Sequence, residues 1–252
     1  MANNIPELIL KDISVEDGKK ILDVSILPTV PMCATLEKVF IDSDECHGIY
    51  KITDKKIGNE SSYGSIFLTC CESEEKVGKF TLVSNNCDYV AKWQPIIDLG
   101  AGFKMTNTSE NMINEAKLQY IAARHGLAPM IREVMICEDG SIIIMDALTI
   151  TAQDEILADV DDVDHNIKIL KTLLELLKRL HSIHIFHGDP HFNNFMRGLD
   201  GEFYLIDFGK AQLTKNIYIQ FRDYEVFEDA LERLGIPYLI KAFREEIDKE
   251  ND

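Results

Sequence analysis

Positive charge is scarce in this chain: 26 lysines and arginines stand against 43 aspartates and glutamates among 252 residues, a formal charge of −17. A general affinity for nucleic acid or for an anionic membrane is thereby disfavoured, because both would repel the protein, and a basic partner is easier to accommodate. No apolar run reaches the length needed to span a bilayer, and no basic-then-apolar segment opens the chain, so a soluble protein is expected. Paired cysteines at zinc-site spacing are also missing. Cys33, Cys46, Cys70, Cys71, Cys87 and Cys137 are scattered in a way that fits reduced thiols in a cytosolic compartment, and the neighbours Cys70 and Cys71 point to opposite faces of a strand. Internal repeats and low-complexity tracts are absent. What remains is a globular chain long enough to bury a substantial core as one domain or two lobes. Its acidity is concentrated at Asp154, Glu155, Asp159, Asp161, Asp162 and Asp164 and again from Glu245 to Asp252, which reads as solvated surface and a frayed tail.

What is present runs from strands to helices. Short β-rich runs from Gly48 to Ile57, Tyr63 to Cys71 and Cys87 to Trp93 are separated by polar connections. A helix is expected from Ser109 to His125, with Ser109 as cap, Glu110 at its positive end, and Met112, Ile113, Ala116, Tyr120 and Ile121 as its apolar face. Gly126 and Pro129 end it. Residues Met130 to Cys137 and Ser141 to Met145 read as a hairpin turning at Asp139-Gly140. A second helix, Asp164 to Ile185, carries Ile167, Leu170, Leu173, Leu174, Leu177 and Leu180 at helical spacing and no Gly or Pro. Its leucines do not continue in heptads, so a core helix is expected in place of a coiled coil.

The densest chemistry lies in His187-Gly188-Asp189-Pro190-His191-Phe192-Asn193-Asn194, followed by Ile206-Asp207-Phe208-Gly209. Asp200-Gly201 lies between them, flanked by Phe195-Met196 and by Phe203 to Ile206, the pattern of a tight two-residue hairpin turn. With Asp200 and Gly201 as its central residues, Asn194 faces Asp207 across the hairpin, about 5 Å apart at Cβ. A carboxamide and a carboxylate at that spacing suit one hard cation.

His-x-Asp with an Asn five residues after the Asp, then Asp-Phe-Gly, resembles the protein-kinase superfamily. The resemblance implies an α+β fold of two lobes: an N-terminal extension over residues 1–47, a β-rich lobe over 48–146 and a reduced, mainly helical lobe over 147–252. It also implies roles. Asp189 would orient an acceptor hydroxyl and take its proton, while Asn194 and Asp207 would hold Mg²⁺ against the phosphates of ATP. Lys92, in Val90-Ala91-Lys92-Trp93, is similar to the strand lysine on the α- and β-phosphates, and Glu115 to the helix glutamate that pairs with it; the alternative for Glu115 is a solvated helix position. The stretch from Ile57 to Ile66 resembles the Gly-rich phosphate loop through Gly58 and Gly64, although the glycines are six positions apart and the middle one is missing. Met145 would back the adenine pocket, and Asp146 to Leu148 would read the adenine edge with backbone groups. His187 would brace the loop, His191 occupies the place of a phosphate-contacting lysine, and Gly188 replaces an arginine that reads activation-loop phosphate. Asp223 matches the helix aspartate that braces the catalytic loop.

Only 45 residues follow Asp207 (252 minus 207), without an Ala-Pro-Glu motif, and Arg222 to Phe227 is similar to small atypical kinases: RIO kinases, the kinase of the KEOPS complex, and kinases of large DNA viruses. Pro190-His191 resembles the loops of UbiB-type and aminoglycoside phosphotransferases. The expectation is therefore an ATP- and Mg²⁺-dependent kinase acting on serine or threonine hydroxyls of a basic protein, in the cytoplasm, or in that of the host if the chain is viral. A small-molecule phosphotransferase and a nucleotide-holding pseudokinase are the alternatives. His181, His184 and Lys210 read as ordinary exposed or helix-end residues, and zinc shared by His181, His184, His187 and His191 explains less than the kinase register does.

Overall fold

Alternating and continuous apolar runs sort the chain into strands first and helices later, as a computed structural model shows for residues 38–42, 47–61, 64–77, 80–95, 109–136 and 140–251. The result is a mixed α+β protein with antiparallel sheets. It divides into two compact units, the first taking Met130–Ala147 with the described residues up to Lys117, the second taking Leu118–Pro129 and everything from Leu148 onward.

The first unit is built on a six-stranded sheet of β1 (Lys38–Asp42), β2 (His47–Ser61), β3 (Gly64–Val77), β4 (Phe80–Pro95), β5 (Ile131–Ile136) and β6 (Gly140–Asp146), in the order β1-β2-β3-β4-β6-β5. The strands run longer than their residue patterns predict, and β1 lies within what reads as an unassigned extension. Ile142, Ile143 and Ile144 on β6 are all buried, so both faces of this strand are covered and its apolar run needs no alternation. Where β3 and β4 slip register after Thr69, Cys70 meets Cys87 and the two form a disulfide. Cys71 is disulfide-bonded as well. The expectation of reduced thiols is therefore corrected: strand pairing, invisible in cysteine spacing, brings the sulfurs together. Cys33, Cys46 and Cys137 lie outside the described residues.

Helix α1 (Ser109–Arg124) ends as its glycine predicts. Gly126 takes φ +68, its N–H donates to the Ala123 carbonyl at 2.9 Å, and Leu127 N–H reaches back to Ala122 at 3.0 Å, a Schellman closure sealed by the burial of Leu127.

In the second unit, α2 (Ala152–Ala158), α3 (Val163–Ser182), α4 (Ile217–Leu234) and α5 (Pro237–Asn251) surround two small sheets, β10-β9-β7 and β11-β8. These strands are β7 (Leu148–Thr151), β8 (Ile185–Phe186), β9 (Phe195–Gly198), β10 (Phe203–Leu205) and β11 (Gln212–Leu213). Thr151, Asp162 and Asn216 cap α2, α3 and α4 by accepting backbone N–H bonds. The leucine stripe of α3 is buried at Leu170, Leu173, Leu174, Leu177 and Leu180. The helix stops three residues before the expected Ile185, because His184 turns left-handed (φ 64) and sends Ile185 and Phe186 into β8. Phe227 packs tilted against Phe192, edge-to-face against Phe195 and stacked on Phe243, at 4.8, 5.8 and 5.7 Å between ring centroids. Phe192 and Phe195 lie on either side of Asn193-Asn194, so this aromatic core also fixes the segment that carries chemistry.

Candidate active site

In the first unit, Lys92 lies on β4 opposite Ile143 and directs its ammonium to the Glu115 carboxylate, 2.5 Å from Nζ to Oε1. Glu115 is 3 % exposed, which excludes the solvated-helix alternative. Its second oxygen accepts a bond of 2.8 Å from Gln94 Nε2. Gln94 is a participant that sequence reasoning missed, yet a signal exists: it stands two residues after Lys92 on one strand, so both side chains share a face. Gly58 lies on β2, and Gly64 opens β3 opposite Ser61, in a hairpin whose register shifts between Ile57 and Ser61. Ser62 and Tyr63 lie outside the described residues. Met145 is buried on β6 opposite Val90. The Asp146 carboxylate is held by Arg132 through two bonds of 2.7 and 2.9 Å, while the backbone N–H groups of Asp146 and Ala147 donate to Met130 and Asp88. The Leu148 position pairs with Gly198 in β9.

In the second unit, Asp223 is wholly buried on α4 and its carboxylate gathers three donors: the backbone N–H of His187 at 2.9 Å, that of Gly188 at 2.8 Å, and His181 Nε2 at 2.8 Å. His181 is therefore a brace, not an ordinary helix-end residue. His187 uses both ring nitrogens, Nε2 donating to the Ile206 carbonyl at 3.0 Å and Nδ1 accepting from Asp189 N at 3.3 Å, which is the pattern of a neutral ring. Burial holds it below the usual imidazole range, against the pull of the Asp223, Asp207 and Asp189 carboxylates and the Ile206 carbonyl. The Asp189 carbonyl accepts from His191 N–H at 2.9 Å and from Asn194 Nδ2 at 2.8 Å. The loop is thus held at both ends around Asp189, whose carboxylate meets Lys210 Nζ at 2.7 Å. Gly188 has φ +83, and a Cβ there would lie 2.6 Å from the Lys210 carbonyl oxygen, so a residue with a side chain cannot occupy this position without displacing the chain.

The expected facing of Asn194 and Asp207 is corrected by one residue. The hairpin pairs Leu205 with Phe195 and Phe203 with Arg197, so Asn194 falls opposite Ile206, whose N–H donates to the Asn194 carbonyl at 2.9 Å. The cause is the turn, which has three residues, Leu199-Asp200-Gly201. Gly201 N–H closes on Gly198 at 3.1 Å and Gly201 takes φ +85, the glycine-dependent bulge of three-residue hairpins. Asn194 ends a 3-10 turn (Phe192–Asn194), and Asp207, with φ 64 and ψ 67, has already left the strand. The two residues share one end of the hairpin without facing each other in register. The Nδ2 bond of Asn194 leaves its Oδ1 as the atom for a cation, and Asp207 is exposed. Two hard oxygens suit a cation that completes its shell with water and phosphate, as Mg²⁺ does. Among the described residues, no three His, Cys, Asp or Glu side chains converge on a metal position.

For two further participants the sequence carries no local signal. Lys210 and His181 acquire their partners from segments 21 and 42 residues away. Compared with known proteins, the sequence matches no family model and no curated protein.

Proposed function

We propose that this protein is a protein-kinase-like phosphotransferase with a two-lobed kinase fold, moving the γ-phosphoryl group of Mg·ATP to a serine or threonine hydroxyl. One observation carries the reading: Asp189 stands on a loop whose backbone is tied to the buried Asp223 through His187 and Gly188, with Asn194 bonded to the Asp189 carbonyl. Such bracing holds a general base in one geometry, which is what positioning catalysis requires. Asp189 orients the acceptor hydroxyl and receives its proton. The pairing of Lys92 with Glu115 supports its assignment to the nucleotide phosphates, with Gly58 and Gly64 covering them. Met145 backs the adenine. The backbone from Asp146 to Leu148 is assigned to the adenine edge by the kinase resemblance, and within it the N–H groups of Asp146 and Ala147 already donate to Met130 and Asp88. Asn194 and Asp207 would hold Mg²⁺, which neutralises phosphate charge when bound.

The charge of −17 favours a basic protein acceptor over nucleic acid or an anionic membrane. Because the reaction needs ATP, we place it in the cytoplasm, where the Cys70–Cys87 bridge would have to persist against a reducing thiol pool; among the described residues, no helix is long and apolar enough to cross a membrane. The test is transfer of labelled phosphate from ATP to the protein itself, to histone or myelin basic protein, and to small-molecule alcohols. Asp189→Ala should lose roughly 10²–10⁴-fold in rate with nucleotide binding retained, and Asp207→Ala should lose Mg·ATP use with the fold intact. Label on small molecules alone would make the chain a metabolite phosphotransferase; normal turnover by both variants would refute the assigned roles.

A further inference from the structure

We infer that Lys210 is the cation that meets the transferred phosphoryl group, and that its contact with Asp189 is the resting position of a side chain that exchanges carboxylate for phosphate when ATP enters. The inference rests on the phosphotransferase reading above and adds a phosphate-contacting residue to it.

The backbone of Lys210 is pinned beside the catalytic loop from two sides. It closes the 3-10 turn Phe208–Lys210, whose Phe208 is wholly buried against the His187 ring at 5.0 Å between centroids. Its carbonyl oxygen packs onto Gly188, where only the lack of a Cβ permits the approach. The side chain is held differently. Nζ lies 2.7 Å from Asp189 Oδ2, but the lysine side chain is 67 % exposed, and ion pairs in that setting contribute little to stability. A contact so weak is easily exchanged, and a phosphoryl group offers more negative charge and three acceptor oxygens.

The surroundings call for such a cation. The Asp189 residue is half-buried and Asp207 is exposed, so a polyphosphate entering here meets carboxylates. His191, at the position of the phosphate-contacting lysine in the kinase resemblance, has Nε2 4.0 Å from the same Asp189 oxygen. Lys210 Nζ, at 2.7 Å, lies nearer to that oxygen than His191 does. In the transfer, the acceptor oxygen forms a bond to the γ-phosphorus and its proton passes to Asp189. The bond from phosphorus to the bridging oxygen breaks, with its electron pair leaving on ADP. Lys210 keeps its proton and donates hydrogen bonds to the γ-oxygens, and its departure uncovers the carboxylate that must accept the acceptor's proton.

The full chain, Lys210→Ala and Lys210→Arg would be compared by calorimetry with Mg·ADP and with the Mg-bound β,γ-imido analogue of ATP, and by single-turnover labelling of myelin basic protein. Lys210→Ala should slow transfer roughly tenfold to hundredfold, weaken the imido analogue several-fold and leave ADP affinity unchanged. Lys210→Arg should restore most of both losses. A pair serving only the fold would not separate the two nucleotides. Equal affinity losses for both, no loss for the analogue, or transfer as fast as wild type would overturn the role of Lys210 while the phosphotransferase reading stands. A wild type that binds neither nucleotide would overturn both. If it binds nucleotide yet labels no acceptor, the contrast between analogue and ADP still decides.

Discussion

Lys92 and Glu115 are 23 residues apart in sequence and 2.5 Å apart in space, with the glutamate side chain 4 % and the lysine 15 % exposed. Breaking a pair so buried strips a mostly buried ammonium of this carboxylate. Glu115→Ala should cost about 3–5 kcal/mol, read as a lower urea midpoint, whereas Glu115→Gln, which keeps an acceptor for Gln94, should cost less. Equal midpoints for Glu115→Ala and wild type would show that the pair does not persist in solution.

Asp223 is the keystone of the second unit's loop. Asp223→Ala strands the buried N–H of His187 and the half-buried N–H of Gly188, at roughly 2–6 kcal/mol for the two, and Asp223→Asn, which retains one acceptor oxygen, should lose part of that. Hydrogen exchange at the His187 and Gly188 amides should accelerate in both variants. Unchanged protection would remove Asp223 from its bracing role.

Glu133 on β5 is 7 % exposed, and burial pushes its carboxyl from 4.5 up to about 8, against a weaker opposing bond from Val134. The folded protein therefore holds a proton that the unfolded chain releases above 4.5, so stability falls as pH rises from about 4.5 to about 8 and levels off beyond. Glu133→Gln should flatten this slope and stabilise the protein at pH 9 by on the order of 3–5 kcal/mol. His187 acts in the opposite sense: with its folded pKa depressed, its contribution is lost as pH falls below the ordinary imidazole value of 6.5. Urea midpoints at several pH values, for wild type and Glu133→Gln, check both.

The bridge between Cys70 and Cys87 closes a separation of 17 residues. Loss of this bridge should cost about 3 kcal/mol on loop-entropy grounds, seen as a lower melting temperature of Cys70→Ser; dithiothreitol, which also opens the Cys71 disulfide, should lower it at least as far. Trapping of free thiols before purification would show whether the pair is oxidised where the protein works. Alkylation of both cysteines in freshly lysed cells would place them in a reducing compartment.

Much of the secondary structure was legible because its signals are local. The α1 terminus follows from Gly126, and the leucines of α3 repeat at helical spacing, so no distant partner is needed to recognise either. The hairpin before Asp207 shows where locality fails. Asp200-Gly201 suits a two-residue turn and a three-residue turn almost equally, and the difference of one residue decides whether Asn194 faces Asp207 or Ile206. The side chains of Lys210 and His181 carry no mark of their partners, because exposure at a helix end or after a turn looks alike in sequence whether or not a carboxylate folds back upon it.

By itself the sequence determined which residue types the proposed chemistry draws on: a strand lysine and a helix glutamate in the first unit, and, in the second, an aspartate, an asparagine and a second aspartate clustered around a chain reversal. It could do so because periodicity and turn chemistry act over a few residues. The tertiary structure alone decided the hairpin register, the joining of Cys70 to Cys87, the grip of Asp223 on His187 and Gly188, and the reach of Lys210 to Asp189. Each of these depends on packing between segments far apart in the chain, where the free energy of a contact is set by what the rest of the fold brings against it.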